Sequence, residues 1–387
     1  MARILVISPT PTHPQNAGNR ARIFSLLSAL RSAGHQIGVA FVEMEDGDLA
    51  TMKATWDFFR VLPCRRPPGR QLKRWHDTLM KAFGIRRVMP FGIDDWFDIS
   101  LLPLLDEIRN QFRPEVVLVE YAFLSKAFEC FSESTLKLLD THDVLADRHH
   151  RLIAAGIPPM WFYTTPRGEK KALDRADCIL AIQPWEQASL STLTQRPVIT
   201  VGHLVPLDHD RQEADKVGSR LLFVGSANPL NVTAVQWFLD EVFPLIRLRC
   251  AGACLEIVGD CAGKIPDSDN LLRIGRVDDV KPYYRRAAVV VNPVRVGTGL
   301  KIKAIEALAM GCPMITTSAG CAGLESGARK AFRVADTATE FAEEVLAILL
   351  SESRQVAMSR EALAFAREYN CQALQPLLAC LGQWGRG

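Results

Sequence analysis

Leu221-Leu222-Phe223-Val224-Gly225 restarts a pattern with which the chain also opens. At the N-terminus, Arg3–Ser8 (Arg-Ile-Leu-Val-Ile-Ser) is a short, mostly branched apolar run that leads into a Pro/Asn/Gly loop. Asn19–Ala33 then carries Ile23, Leu26, Leu27 and Leu30 on one helical face, Gly34 closes that helix, and Gln36–Val42 is the next apolar run. Short strands alternating with amphipathic helices specify a parallel sheet built from βαβ units. Val116–Glu120, Thr135–Asp140, Asp177–Ile182 and Pro197–Val201 supply further strands. The periodicity lapses over 208–220, whose Asp-His-Asp-Arg-Gln-Glu-Ala-Asp-Lys reads as a solvated linker. After the restart come a helix over Val232–Arg247, strands at Cys254–Val258, Leu271–Ile274, Ala288–Asn292, Met314–Thr316 and Phe332–Val334, and closing helices at Glu340–Leu350 and Arg354–Trp384. The chain therefore reads as α/β with two doubly wound, Rossmann-like units, 1–207 and 221–368, and a final helix, 369–387, that crosses back to the first.

Bulk properties agree with that reading. A chain of 387 residues fits two domains of about 150–200 residues each. With 48% hydrophobic and 23% charged residues it has the composition of a folded globular protein. No run approaches the roughly 18 apolar residues of a membrane span, and the apolar opening is too short for a secretion signal. Ten scattered cysteines without a CxxC pair read as small core residues of a reducing cytoplasm. Eight histidines without ligand spacing give no metal site. GxGxxG and GxxxxGK[ST] are both absent, which weighs against dinucleotide redox chemistry and P-loop phosphoryl transfer.

Ligands of doubly wound sheets bind at the carboxyl ends of the strands, where helix N-termini favour anions; two facing units would form a cleft there. The densest signal for such a site is Val291–Leu324. A strand ends at Pro293, Gly297-Thr298-Gly299 follows, and a helix starts near Leu300. Glycines admit a ligand close to backbone amides, and the helix dipole favours negative charge. Lys301 and Lys303 in the first turn oppose that dipole at a few tenths of a kcal/mol each, a cost that a bound diphosphate would offset. Glu306, about one turn on, is placed to accept hydrogen bonds from a ribose diol.

The run Gly297-Thr298-Gly299-Leu300-Lys301-x-Lys303-x-x-Glu306-Ala307-x-Ala309-x-Gly311-x-Pro313 resembles the donor-site signature of retaining GT-B glycosyltransferases of family 4, the group 1 transferases. Leu222-Phe223-Val224-Gly225-Ser226 with Asn231 and Trp237-Phe238 resembles that family's first C-terminal strand and helix. Gly275-Arg276-Val277, followed by Tyr283-Tyr284, is similar to its base-binding turn. Pro11-Thr12-His13-Pro14-Gln15-Asn16-Ala17-Gly18-Asn19-Arg20, with Gly34-His35 after the helix, is similar to its acceptor-side loop. The resemblance spans most of the chain, strongest in the second half and diffuse between about 45 and 110.

What the resemblance implies is a GT-B enzyme of the hexosyltransferase type. It would move a sugar from a nucleoside diphosphate to an acceptor hydroxyl with retention, in polysaccharide or glycolipid synthesis, without a cofactor or metal. Glu306 resembles the second Glu of the E-x7-E motif, which contacts the ribose. Thr298 stands where the first would contact the donor sugar, so that contact passes to its hydroxyl and the neighbouring amides. The family often follows Gly225 with an Arg and, about five residues on, a Lys. Here stand Ser226 and Leu230 or Asn231, which leaves Lys301, Lys303 and Arg295 as the diphosphate clamp. His142, in Leu139-Asp140-Thr141-His142-Asp143, matches a His that touches the donor sugar near the reacting carbon. Gly18, Asn19 and Arg20 open the first helix on the acceptor side. Two other readings stay open: a GT-B nucleotide-sugar epimerase, and a silent sugar-nucleotide-binding scaffold.

One segment lies outside that set. Arg60–Arg87 holds nine Lys/Arg against the single Asp77, and Leu72, Trp75, Leu79 and Phe83 share a helical face. This is the pattern of an interfacial helix drawn to anionic lipid; a packed basic loop is the bland alternative. The expectation is a cytoplasmic protein, peripheral on the inner membrane face, with a lipid-linked or sugar acceptor. Nothing else in the chain supports nucleic acid as a partner.

Overall fold

In a computed structural model of the chain, the described residues are 1–64, 89–154, 158–159, 161–208, 218–277, 279–296 and 301–384. The chain divides into two compact units: residues 1–203 with 374–387, and residues 204–373.

Unit 1 is built on seven strands: β1 (Arg3–Ser8), β2 (Gln36–Val42), β3 (Phe58–Leu62), β4 (Val116–Glu120), β5 (Leu136–Asp140), β6 (Cys178–Ala181) and β7 (Val198–Thr200). They run parallel in the order β3-β2-β1-β4-β5-β6-β7. Val, Ile and Leu dominate these strands because helices cover both faces of a parallel sheet, so neither face alternates with polar residues. Ile4 and Val6 point to a core shared with Ile23, Leu26, Leu27 and Leu30 of the helix Gly18–Ser32; Leu5 and Ile7 point to the other, with Leu101, Leu105 and Ile108 of the helix Leu101–Phe112. Gly34 takes φ +91° between that first helix and β2, a conformation that would strain a side chain.

Unit 2 has six parallel strands: β8 (Arg220–Val224), β9 (Cys254–Val258), β10 (Leu271–Gly275), β11 (Val289–Asn292), β12 (Met314–Thr316) and β13 (Arg333–Val334), in the order β10-β9-β8-β11-β12-β13. Each sheet reverses its strand order once, between β1 and β4 and between β8 and β11. Such switch points open a crevice at the carboxyl ends of the strands. The helix Glu352–Trp384 contributes residues to both units; Leu374, Leu377, Cys380 and Leu381 pack in the core of unit 1.

Several expected bounds change, each for a physical reason. The single helix expected over Val232–Arg247 is a helix Pro229–Trp237, a π-turn Phe238–Val242 and a helix Phe243–Arg249. Pro244 has no N–H to donate to the preceding turn, and the wider π-turn absorbs the break. Asp208, expected to open a solvated linker, is buried, and both its oxygens accept from Arg285, at 2.8 and 2.9 Å; residues 209–217 lie outside the described residues. Arg60, read as the head of the basic segment, sits in β3, where its guanidinium donates to Gln111 at 3.1 Å. The rest of that segment from Arg65 onward lies outside the described residues. No described helix is long and apolar enough to cross a membrane.

Candidate functional site

In unit 2 the carboxyl end of β8 runs into Gly225 and Ser226, and Asn228 caps the helix that follows by accepting from the Leu230 N–H at 2.9 Å. Asn231, one turn into that helix, donates through Nδ2 to the Ser226 carbonyl at 3.1 Å. Its Oδ1 accepts from Lys303 Nζ at 2.7 Å, and the same ammonium lies 4.3 Å from the centre of the Phe223 ring. The structure thus gathers Ser226, Asn231 and Lys303, residues up to 77 positions apart in sequence. The floor beside them is backbone: Cys261 N–H donates to the Gly225 carbonyl at 3.2 Å and Gly259 N–H to the Gly275 carbonyl at 2.6 Å. A Cβ on Gly259 (φ +100°) would stand 2.3 Å from the Gly225 oxygen, so no other residue fits there.

The loop after β11 is tied to the loop after β12. Asn292 Nδ2 donates to Thr316 Oγ1 at 3.1 Å and to the Gly320 carbonyl at 2.9 Å, and Thr317 Oγ1 donates to the Val294 carbonyl. Lys301 occupies the N-cap of the helix Ile302–Ala309, one residue before its first turn, and Ala304, Ile305, Ala307 and Leu308 bury the opposite side. Lys303 and Glu306 are three apart and share a face. Both keep some surface open to solvent, yet protein encloses them on most sides. Lost hydration moves each toward neutrality: Lys303 falls to about 7, with Lys301 as a second cause, and Glu306 rises to about 7. Gly297, Thr298, Gly299 and Leu300 lie outside the described residues. Arg276 is exposed and Val277 half-buried on the loop after β10. The Arg295 guanidinium lies over Trp237, 5.0 Å from the ring centre, at the last residue of the helix Pro229–Trp237 that also carries Asn231.

In unit 1 a second set meets at the ends of β1, β4 and β5. His142 Nε2 is 2.5 Å from Glu120 Oε2, and its ring stacks on Tyr121 with centres 4.2 Å apart. Glu120 closes β4 with its side chain fully buried; burial first and the Asp140 carboxylate second raise its pKa. Asp140, which closes β5, accepts two hydrogen bonds from Arg22 Nη2 at 2.8 and 3.1 Å. After His142 the loop is anchored by Glu169, whose carboxylate accepts the Leu145 and Ala146 N–H groups at 2.9 and 2.6 Å and is pushed by burial up to about 7.

Gly18 is the first residue of its helix. Asn19 reaches the set, donating to the Tyr121 hydroxyl at 3.2 Å, but Arg20 is spent on Glu45 at 2.8 Å and the Asp46 carbonyl at 2.9 Å. Arg148 and Arg151 bind the Asp143 carboxylate and the Ala146 carbonyl at 2.9 and 2.8 Å.

Sequence reasoning missed Glu120, Tyr121 and Arg22. The available signal was an acid closing an otherwise apolar strand, Val-Val-Leu-Val-Glu, and an Arg inside the apolar face of the first helix.

Those two constellations, each at a switch point of a parallel sheet, bear directly on kinship. Residues 218–351 match the family model of the group 1 glycosyl transferases. That stretch covers most of unit 2 and contains every residue gathered around Lys303. Over the whole chain, a Klebsiella pneumoniae protein described as an uncharacterized 44.6 kDa protein in cps region is 22% identical, covering 95% of this chain and 96% of its own. The structure is similar to Anabaena HepE in complex with UDP and glucose (TM-score 0.66, 10% identity, 99% of this chain and 100% of that one). It is also similar to a Staphylococcus aureus TarM variant in complex with UDP, fondaparinux and α-GlcNAc-glycerol (TM-score 0.69, 10% identity, the same coverage). The fold class is therefore GT-B, two Rossmann-like parallel-sheet units in one chain.

Proposed function

We propose that this protein is a glycosyltransferase that moves a sugar from a nucleoside diphosphate to an acceptor hydroxyl, with the donor on unit 2. The observation that carries this reading is Lys303, a dehydrated cation whose hydrogen-bond partner is the neutral Asn231, at the end of β8 within the group 1 match. Such a cation favours an anionic ligand, and a diphosphate gains charge as it leaves. In the reaction the bond from the anomeric carbon to the phosphate oxygen breaks, the acceptor oxygen takes its place, and its proton passes to the departing diphosphate. Retention of the anomeric configuration and a hexosyl donor complete the reading, and the sugar complexes of HepE and TarM support a nucleotide-sugar donor and a sugar acceptor. Lys301, Lys303 and the loop amides would supply the stabilisation that a metal provides elsewhere. His142 would meet the donor sugar with its ring fixed by Glu120.

The test is a thermal-shift panel of UDP-, GDP- and ADP-sugars, where a ligand at 100 times its Kd adds about 2.7 kcal/mol of stability. Glu306→Ala is expected to weaken the responding nucleotide by about 1.5–3 kcal/mol, roughly tenfold to a hundredfold, through loss of a charged acceptor for the ribose diol. Unchanged affinity would remove Glu306 from the site. Turnover of donor without any acceptor, to an epimerised sugar, would favour the isomerase instead.

The cps-region relative supports a role in polysaccharide or glycolipid synthesis. With Arg60–Arg87 it motivates a peripheral position on an anionic membrane and a lipid-linked acceptor. Co-sedimentation with anionic vesicles should be strong at low salt and fade as exposed charges are screened beyond about 8 Å at physiological ionic strength. Changing Arg65, Arg66, Lys73 and Arg74 to Glu should abolish it. Equal partitioning of both proteins would end the membrane reading and leave the transferase reading intact.

A further inference from the structure

Three residues around the unit 1 set hold backbone that side chains rarely adopt: Tyr121 at φ +70°, His142 at +60° and Trp161 at +61°. For bulky residues this region is a true outlier, kept only where the surroundings enforce it. Here the three rings form one assembly. Tyr121 stacks on His142, and Trp161 stands nearly perpendicular to Tyr121 (5.2 Å between centres), Phe123 (5.6 Å) and Trp96 (6.0 Å). Tyr121, Phe123 and Trp96 are buried, whereas Trp161 is 41% exposed. The outcome is a large flat side chain, braced by three aromatic neighbours, open to solvent and one ring away from His142. Burying that indole would have removed more apolar surface from water; the fold instead accepts a strained backbone and leaves it open.

The surroundings of this surface are polar. Arg148 lies over one face of the Trp161 ring, 5.8 Å from its centre, and is held at 2.9 Å by Asp143, the neighbour of His142, which leaves the other face for a ligand. Asn19 binds the Tyr121 hydroxyl behind it. A wholly apolar ligand seated here would strip water from an ion pair and return nothing. A pyranose suits both parts: its C–H groups meet the negative face of an indole, and its hydroxyls reach a charged rim.

We propose that Trp161 is the platform on which a pyranose ring of the acceptor stacks, beside His142 on unit 1. The proposal rests on the transferase reading, and its test is independent of turnover. The probes are methyl glycosides of glucose, galactose, mannose and N-acetylglucosamine at millimolar concentration with the full chain, read by saturation-transfer NMR. At least one should receive saturation chiefly on the C–H protons of one ring face. That signal should vanish in Trp161→Ala and persist in Trp161→Phe, while the thermal shift given by UDP stays that of the parent protein. Silence from all four glycosides, an equal signal in Trp161→Ala, or loss of the UDP shift in a folded Trp161→Ala protein would overturn it. The last outcome would assign the indole to a nucleobase. Absence of a shift with every UDP-, GDP- and ADP-sugar in the parent protein strikes the transferase reading alone and leaves the glycoside signals to judge Trp161.

Discussion

Lys303→Ala is expected to lower kcat on the order of 100- to 1000-fold, about 2.7–4 kcal/mol of transition-state stabilisation, as removal of one preorganised donor does at a developing oxyanion. Folding should be untouched or slightly helped. Lys303 sits in the first turn of Ile302–Ala309, where a cation opposes the helix dipole by a few tenths of a kcal/mol. Lys301→Ala, at the N-cap, should lower turnover less, because Lys303 is the lysine drawn to Asn231. The pH profile gives a second check. Lys303 is cationic below its pKa of about 7, so in the free enzyme kcat/KM should fall by roughly tenfold per pH unit above that value. A bound diphosphate raises the lysine pKa, so kcat itself should hold to higher pH. The measurement is turnover of the nucleotide-sugar that the thermal-shift panel selects, from pH 6 to 9, with and without a chelator. Normal turnover by Lys303→Ala would place the diphosphate elsewhere, and loss of activity in chelator would put a metal where the lysines are assigned.

How much of this was legible in the sequence depends on distance along the chain. The open α/β pattern was, because each strand is a contiguous apolar run and each helix face repeats within a few residues. Within unit 2, Lys303 and Glu306 were legible because one helix carries both. Their partner Asn231 stood out both in the resemblance and as a departure from its clamp, but its bond to Lys303 spans 72 positions and was not legible. β3 escaped because Arg60 interrupts Phe58–Leu62 and the segment that follows is strongly basic. Arg22, Glu120 and Asp140 escaped for a related reason. A charged side chain inside an apolar face signals burial with a partner, but only the neighbouring of β4 and β5 in the sheet brings Glu120 and Asp140 together under the first helix. Trp161 was illegible, since the run Trp161-Phe162-Tyr163 says nothing of three rings supplied by Trp96, Tyr121 and Phe123.

Arg22→Met is expected to destabilise unit 1 by about 3–5 kcal/mol, the usual result of removing one partner of a buried ion pair. Arg22 and Asp140 are 1% and 0% exposed, so water cannot take over from the guanidinium. Methionine fills much of the same volume, which separates the charge effect from a cavity. The Asp140 carboxylate would remain beside Glu120, whose pKa burial first and that carboxylate second already raise, and Glu120 would take up a proton in place of the lost cation. The variant should therefore regain stability as pH falls, because Glu120, held above its unfolded value by burial and by Asp140, favours the protonated form. Arg22→Met with Asp140→Asn removes both charges and should recover a large part of the loss. Arg22 Nε and Nη1 have no hydrogen-bond partner among the described residues, so the native pair is itself incompletely satisfied and its replacement leaves fewer buried groups wanting. Urea unfolding of the full chain, followed through the transition of unit 1 at pH 5.5 and 8, measures both effects. A single-variant loss below about 1 kcal/mol would mean that the pair is as weak as an exposed one. A double variant no more stable than Arg22→Met would show that Asp140 is needed for reasons other than its charge.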